Sequence, residues 1–167
     1  MATIWYTSDW HLDHKRICDF SGNHRNCDSV VENNHMLVAQ HKRLVSKRDR
    51  TYFLGDIAFS EESLELINEL NGDKILVIGN HDMFGAKKYL EYFNDILGVV
   101  SRNGFWLSHA PLHPSELRGK RNIHGHVHFN SIRDGYGVLD DRYINVCPEV
   151  TAMCPLSINQ IRNRVKQ

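Results

Sequence analysis

The chain has 167 residues, a length that suits one compact domain with a core large enough to fold without disulfides. Its 20 basic and 20 acidic residues give a formal net charge of zero, which argues against a dedicated binder of long nucleic acid. No apolar run approaches the length of a membrane span, and the first residues lack the pattern of a secretion signal. We therefore expect a single cytoplasmic domain over residues 1–167 whose four cysteines are reduced.

Strand patterns alternate with helical patterns in the first half of the chain. The predicted strands are residues 3–7, 51–54 and 74–78. The predicted helices are residues 30–47, 61–70 and a segment around Tyr89, Leu90 and Phe93. The first of these helices begins at Ser29, which forms a capping box with Glu32. This alternation is typical of an α/β protein.

The second half of the chain is richer in strands. Asn103-Gly104 is a two-residue hairpin signal between residues 99–102 and 105–108. Further strands are predicted at residues 121–123 and 143–146, and Ser157 with Gln160 predicts the start of a last helix. The sheets are therefore expected to be partly parallel and partly antiparallel.

Each of five polar clusters directly follows a predicted strand. The clusters are Asp9-Trp10-His11, Gly55-Asp56, Gly79-Asn80-His81-Asp82, Ser108-His109 and Gly125-His126-Val127-His128. In α/β layers the carboxyl ends of the strands gather at one edge, where such folds bind ligands. Residues that are distant in sequence are therefore expected to converge there.

The converging side chains form a candidate metal site. Their oxygen and imidazole donors suit first-row divalent ions, and seven donors exceed what one ion needs. Two ions about 3.5–4 Å apart, sharing a carboxylate and a hydroxide, would use them all. The seven are Asp9, His11, Asp56, Asn80, His109, His126 and His128.

The charge of such a site predicts an anionic substrate. Two divalent cations outweigh two aspartates, so the site would attract a phosphate ester. A hydroxide that metal binding makes available near neutral pH would be the nucleophile. His81, adjacent to Asn80, is the candidate general acid for the leaving oxygen.

The five motifs, in this order, closely resemble those of the calcineurin-like metallophosphoesterase superfamily. They extend from Asp9 to His128, and the segments 144–146 and 155–157 also resemble small stand-alone bacterial and phage members. Segment 21–27 departs from the Arg-Pro-Phe-like stretch usual in small relatives. This departure leaves the substrate contacts of that loop open, but not the metal centre.

The resemblance implies a fold and a role for each motif residue. The fold is a four-layer αββα sandwich of two mixed β-sheets. Asp9, His11 and His128 would hold a first ion, and Asn80, His109 and His126 a second, with Asp56 bridging the two. His81 would protonate the leaving group, oriented by Asp82. Manganese is the expected metal, and iron, zinc and nickel are compatible with the same ligands.

The remaining histidines and basic residues have weaker patterns. His24, His35, His41 and His113 are expected at the surface or half-buried, whereas His14 and His124 are candidates for contact with the ligands. Trp10 is expected to be a packing residue. The basic residues near the motif loops are read as solvated charges, one or two of which could hold the phosphate. They are Arg25, Lys87, Lys88, Arg118, Lys120 and Arg121.

The expected activity is hydrolysis of small nucleotide-like or cyclic phosphodiesters, since His81 would assist a poor leaving group. A phosphomonoesterase, a nuclease and a non-catalytic binding module are the alternatives. Nucleic acid is not the favoured partner, no membrane partner is expected, and the oligomeric state stays open. Silent binding modules of this fold typically lose several ligands, whereas this sequence keeps all seven.

Overall fold

The computed structural model describes residues 2–20 and 24–165, so residues 21–23 of the atypical segment lie outside the described residues. The strands are β1 (Ile4–Thr7), β2 (Arg50–Phe53), β3 (Asp73–Val77), β4 (Asp95–Leu97), β5 (Val100–Arg102), β6 (Phe105–Leu107), β7 (Arg121–His124), β8 (Tyr143–Asn145) and β9 (Leu156–Ser157). The α-helices are α1 (Ile17–Phe20), α2 (Val30–Leu44), α3 (Glu61–Leu64), α4 (Ala86–Tyr89), α5 (Pro148–Thr151) and α6 (Ile158–Val165). Two 3₁₀ turns span Glu65–Glu69 and Pro114–Glu116.

The strands form two mixed sheets. The first has the order β4-β3-β2-β1-β9, with β1 to β4 parallel and β9 antiparallel to β1. The second has the order β5-β6-β7-β8, in which β5 and β6 form the predicted Asn103-Gly104 hairpin and the other pairs are parallel. The expected α/β class with two mixed sheets is confirmed.

The sheets enclose a hydrophobic core between them. Alternate strand residues point to opposite faces, so Tyr6 and Tyr52 of the first sheet join Leu107 and Ile123 of the second in one buried cluster. The rings of Tyr6 and Tyr52 stack with their centroids 5.7 Å apart. This shared core fixes the two sheets face to face, with the ends of β1, β2, β3, β6 and β7 on one side.

Helices cover the outer face of the first sheet. Phe53 and Leu76 point to this face and pack with Leu37 of α2 and Leu64 of α3. Helix α2 begins as predicted, since Ser29 accepts a hydrogen bond from the Glu32 N–H at 3.1 Å. On the outer face of the second sheet, the described residues place the 110–120 segment with its single 3₁₀ turn, where Trp106 Nε1 donates to the Leu117 carbonyl at 3.0 Å. The fourth layer is therefore thin.

Some elements differ from the sequence predictions. The predicted helix 61–70 is α for one turn and then 3₁₀, and at its end the Ile67 carbonyl accepts both the Leu70 N–H at 3.2 Å and Lys74 Nζ at 3.1 Å. The predicted helix at Tyr89 is a single turn, and the short strand β4, whose sequence begins with a polar residue, was missed. The expectation that His41 lies at the surface or is half-buried was wrong, since this residue is fully buried against Trp10 and Phe53.

Candidate metal centre

The five polar clusters lie at one edge of the sandwich because each follows a strand that runs toward that edge. Backbone hydrogen bonds join the loops: the N–H of Asp9 donates to the Gly55 carbonyl at 2.9 Å, and that of His11 to Asp56 at 3.0 Å. In the second sheet, the N–H of Gly125 donates to the His109 carbonyl at 2.8 Å. These backbone hydrogen bonds fix the spacing between the loops independently of their side chains.

The carboxylate of Asp56 lies between two groups of ligand candidates. Its Oδ2 atom is 3.5 Å from His11 Nε2 and 3.4 Å from His109 Nε2. Its other oxygen accepts the backbone N–H of His81 at 2.8 Å, which fixes the carboxylate plane. Asp56 Oδ2 therefore lies where one oxygen could ligate an ion in each of the two groups.

The first group consists of Asp9, His11 and His128. Asp9 Oδ1 is 3.5 Å from His11 Nε2 and 3.8 Å from His128 Nε2, and these atoms lie close enough to surround one ion. Asp9 Oδ1 and both ring nitrogens of His11 are buried and have no hydrogen-bond partner among the described residues. Buried polar atoms without partners are costly, so a cation ligated by Asp9 and His11 fits this group.

The second group consists of Asn80, His109 and His126. His109 Nε2 is 2.8 Å from Asn80 Oδ1 and 3.1 Å from His126 Nδ1. The other nitrogen of His109 meets the Leu54 carbonyl at 2.7 Å, so Nδ1–H donates there and Nε2 faces the group, where its lone pair would become available once a cation displaces its proton. The side chains of Asn80 and His126 are more exposed than those of the first group, so this half of the site faces solvent.

The electrostatics of the cluster favour positive charge. Burial alone would raise the pKa of Asp9, but the adjacent His11 ring and the nearby His109 hold it below its ordinary range. Burial would lower the pKa of His109, yet Asp56 and Asp9 outweigh it and raise that pKa to about 9. The two carboxylates therefore keep His109 protonated near neutral pH. A divalent cation bound at the cluster would supply the same neutralising positive charge.

Backbone strain is concentrated in these loops. Non-glycine residues rarely adopt positive φ, yet Asp9, His11, Asp56, His126 and His128 all do, with φ between 48° and 70°. The backbone of Gly125 packs so closely against Ser8 and Asp9 that an added Cβ would clash with Asp9 Oδ2 and Ser8 Oγ. Strain of this kind persists where the surrounding structure enforces it, and here five of the seven candidate ligands carry it.

His81 lies at the rim of the cluster. It lines a cavity of about 180 Å³ together with His11, His14, Ile17, Phe59 and His128. The ring centroid of His81 is 5.8 Å from that of His11 and 5.6 Å from that of Phe59. The imidazole is exposed, in contrast with His11, so it can meet a molecule that enters from solvent.

The hydrogen bonds of Asp82 differ from the expected contact with the His81 ring. Its Oδ2 accepts the backbone N–H groups of Gly79 at 2.7 Å and Asp56 at 3.0 Å, and Oδ1 accepts that of Ile57 at 2.9 Å. Tyr89 Oη also donates to Asp82 Oδ1 at 3.3 Å, and within the described part of the chain no hydrogen bond joins Asp82 to the His81 ring. In this structure Asp82 fixes the backbone that carries Asp56.

Sequence reasoning missed three buried residues behind the ligands. Cys147 Sγ is 3.3 Å from Asp9 Oδ2, and Glu149 Oε1 is 2.9 Å from His128 Nδ1. Arg25, read as a solvated charge, is 1 % exposed and pairs with Glu149 at 2.8 Å. Burial would raise the pKa of Glu149, but His128 and Arg25 hold it below its ordinary value. No local motif marks these residues, because their partners lie far along the chain: 138 positions separate Cys147 from Asp9, 124 separate Arg25 from Glu149, and 21 separate Glu149 from His128.

The other candidate residues have simpler surroundings. His14 packs against Phe59, and His124 Nδ1 lies 2.8 Å from the Gly125 carbonyl, beside the His126 motif. Trp10 is buried, as expected of a packing residue. Lys88 and Arg121 form partly exposed ion pairs. Among the cysteines, Cys18 Sγ and Cys27 Sγ lie 2.6 Å apart.

Comparison with known proteins supports the same interpretation. The family described as calcineurin-like phosphoesterase matches residues 2–145. An uncharacterised protein of Methanocaldococcus jannaschii is 33 % identical over 170 residues, covering 96 % of this chain and 90 % of that protein. The gene 66 protein of Mycobacterium phage L5 is 35 % identical over 88 residues, which cover 49 % of this chain and 41 % of that protein.

Two solved structures share the fold. A protein of unknown function from Aquifex aeolicus superposes with a TM-score of 0.73 at 27 % identity, covering 98 % of this chain and 99 % of that one. A nuclease from Pseudomonas putida superposes with a TM-score of 0.50 at 18 % identity, covering 75 % of this chain and 61 % of that one. Among the described residues, no helix has the length and apolarity needed to cross a bilayer. The strand-end cluster of carboxylates and imidazoles, together with the match over residues 2–145, shows that the chain belongs to the calcineurin-like phosphoesterase family of metal-dependent hydrolases.

Proposed function

We propose that the protein hydrolyses small phosphodiesters with two divalent ions bound at the strand-end cluster. Asp9, His11 and His128 would hold one ion, Asn80, His109 and His126 the other, and Asp56 would be shared. The observation that carries this proposal is the position of Asp56 Oδ2, 3.5 Å from His11 Nε2 and 3.4 Å from His109 Nε2. Ions in such a site supply positive charge for the phosphoryl oxygens and lower the pKa of water.

The side chains of the chain itself then bind and orient the substrate. The phosphate lies against the cluster, where the net positive charge of a loaded site attracts it. His81 stands at the rim of the same cavity and donates a proton from its ring to the leaving oxygen. Its backbone N–H, which donates to Asp56 Oδ1 at 2.8 Å, keeps the residue next to the shared carboxylate.

The size of the cavity supports a substrate that is only partly enclosed. Its volume of about 180 Å³ is below the roughly 300–1,000 Å³ of pockets that enclose a whole ligand. The phosphoryl group and the atoms next to it fit, with Phe59 and Ile17 providing an apolar wall for a small alcohol or sugar edge. The two substituents of a diester can extend out of such an open site into solvent. We therefore favour small nucleotide-like or cyclic phosphodiesters over monoesters.

Nuclease activity is the second candidate, because a structure of the same fold is that of a Pseudomonas putida nuclease. The neutral net charge of this chain counts against tight binding of a polyanion. A gel-shift titration with single- and double-stranded DNA at rising salt separates the two candidates. Tight DNA binding at physiological salt would replace the small-substrate proposal with the nuclease.

The deciding experiment is turnover of mono-, di- and cyclic phosphates by metal-stripped protein to which Mn²⁺ is added. We expect hydrolysis of diesters that depends on added metal. Asp56→Asn should abolish binding of both ions, and His113→Ala, an exposed histidine outside the cluster, serves as the control. A protein that binds Mn²⁺ but hydrolyses none of the panel would support a binding module instead.

The role of His81 is tested separately. His81→Ala should keep both ions and lose activity mainly on unactivated esters, whose alkoxide leaving groups need a proton. A nitrophenyl ester, which leaves without protonation, should be hydrolysed at nearly the wild-type rate. Equal losses on the two kinds of ester would remove the general-acid role.

A further inference from the structure

A carboxylate is buried directly behind one of the candidate ligands. Glu149 Oε1 accepts a hydrogen bond from His128 Nδ1 at 2.9 Å, and the Glu149 side chain is 0 % exposed. The other oxygen, Oε2, is also buried and has no hydrogen-bond partner among the described residues. The polar contacts of this carboxylate are therefore directed at His128 and at Arg25.

The guanidinium of Arg25 joins Glu149 to the first polar cluster. Its Nε donates to Glu149 Oε1 at 2.8 Å, and its two terminal nitrogens donate to the carbonyls of Trp10 at 2.9 Å and Asp9 at 2.5 Å. Nη1 also donates to Asn33 Oδ1 on α2 at 3.0 Å. One buried side chain thus connects the backbone that carries Asp9 with the carboxylate behind His128.

This arrangement determines which nitrogen of His128 faces the cluster. An ionised carboxylate only accepts hydrogen bonds, so the hydrogen of the neutral ring must be on Nδ1. The lone pair is then on Nε2, which points toward Asp9 Oδ1 at 3.8 Å. Carboxylate partners of metal-binding histidines act in this way, by fixing the tautomer and the ring orientation.

A purely stabilising ion pair explains the arrangement less well. Burying Arg25 and Glu149 costs several kcal/mol per ion in desolvation, and buried pairs are often no more stabilising than apolar residues. The contacts of this pair go instead to Asp9 and Trp10 in one sheet's loop and to His128 in the other's. The pair therefore sets the relative position of two side chains that must approach one ion.

We propose that Glu149 is a positioning residue for His128 and that Arg25 aligns Glu149 with the loop of Asp9. The inference rests on the proposed two-ion site and deepens it, because it places a hydrogen-bonded carboxylate–histidine pair, Glu149 and His128, beside the first ion. We call this pair the relay. Loss of the relay should weaken the ion held by Asp9, His11 and His128, and leave the ion held by Asn80, His109 and His126 nearly unchanged.

The test is a Mn²⁺ titration of E149Q, followed by the electron paramagnetic resonance signal of the free ion. Gln keeps the shape of Glu149 but removes its charge. We expect two ions in the wild type, and a loss of affinity of about 10- to 100-fold for one of them in the variant. E69Q, which removes the charge of the exposed Lys42–Glu69 pair, is the matched control and should bind as the wild type does.

A double-mutant cycle with H128A separates positioning from general stabilisation. If Glu149 acts through His128, E149Q should add little to the loss that H128A causes by itself. Additive losses, or equal weakening of both ions with a lowered melting temperature in EDTA, would overturn the inference. E149D retains the charge beside Arg25 but retracts the carboxylate, and it provides the same comparison if E149Q does not fold.

The same titration distinguishes this inference from the proposed function. A wild type that binds no pair of ions would refute the two-ion site, and the relay with it. A wild type that binds two ions, with E149Q and E149D unchanged, would refute the relay alone.

Discussion

The carboxylate of Asp82 accepts the backbone N–H of Asp56 at 3.0 Å. With the N–H groups of Gly79 and Ile57 on the same carboxylate, Asp82 ties together the loops after β2 and β3. Its position predicts that it acts on Asp56, the proposed shared ligand, and not on the ring of His81.

Asp82→Asn tests this assignment. The amide replaces one acceptor oxygen with an NH₂ group that would face backbone donors, so the loop should shift. We expect weaker binding of both ions, by about 10- to 100-fold, measured by Mn²⁺ titration. Asp95→Asn, at an exposed strand residue, is the control. A variant that keeps metal affinity and loses only turnover would restore the expected role beside His81.

Gly125→Ala should disrupt the proposed site of the first ion. An added Cβ would meet Ser8 Cβ at 2.7 Å and clash with Asp9 Oδ2, so Asp9 must move. Overpacking of this kind costs about 1–3 kcal/mol, and the displaced carboxylate should reduce metal affinity as well. Thermal unfolding and Mn²⁺ titration measure the two effects. Gly98→Ala, where a Cβ meets nothing within 4 Å, should change neither.

Metal binding should release a proton near neutral pH. Asp56 and Asp9 raise the pKa of His109 to about 9, so at pH 7.5 the metal-free protein carries a proton on His109 that ligation must displace. Affinity should therefore rise with pH up to about 9. Calorimetry in buffers of different ionisation enthalpy should show about one proton released. A binding enthalpy that does not vary with the buffer would contradict this.

His41 should make stability depend on pH below its ordinary pKa. Burial, with Lys74 nearby, lowers the pKa of His41 to about 4, so the folded protein keeps this ring neutral while the unfolded chain protonates it below about 6.5. Stability is therefore fully present above 6.5 and is lost as the pH falls toward 4. The loss is about 3 kcal/mol at 1.4 kcal/mol per pKa unit.

The comparison of His41→Gln with His35→Gln isolates this effect. Both residues lie on α2, but His35 is exposed. Urea unfolding in EDTA between pH 4 and 7 should show a shallower pH dependence for His41→Gln, and the wild-type dependence for His35→Gln. Identical slopes in all three proteins would show that His41 titrates normally.

Much of the fold could be read from local patterns. The capping boxes at Ser29 and Ser157 and the hairpin at Asn103-Gly104 involve residues only a few positions apart, so their signals are local. The split of helix 61–70 was not visible, because the apolar spacing of Leu64, Ile67 and Leu70 fits an α-helix and a 3₁₀ turn alike. Strand β4 was missed because three residues with one polar end give too short a pattern.

The amino-acid sequence by itself determined the candidate ligands, since oxygen and imidazole donors at the ends of predicted strands already indicate a metal site. The tertiary structure alone decided what supports them. Arg25 is 124 positions from Glu149, and Asp82 reaches back 26 positions to the N–H of Asp56. These contacts depend on how the two sheets pack against each other and on which charged groups that packing buries. Neither can be deduced from a short stretch of sequence.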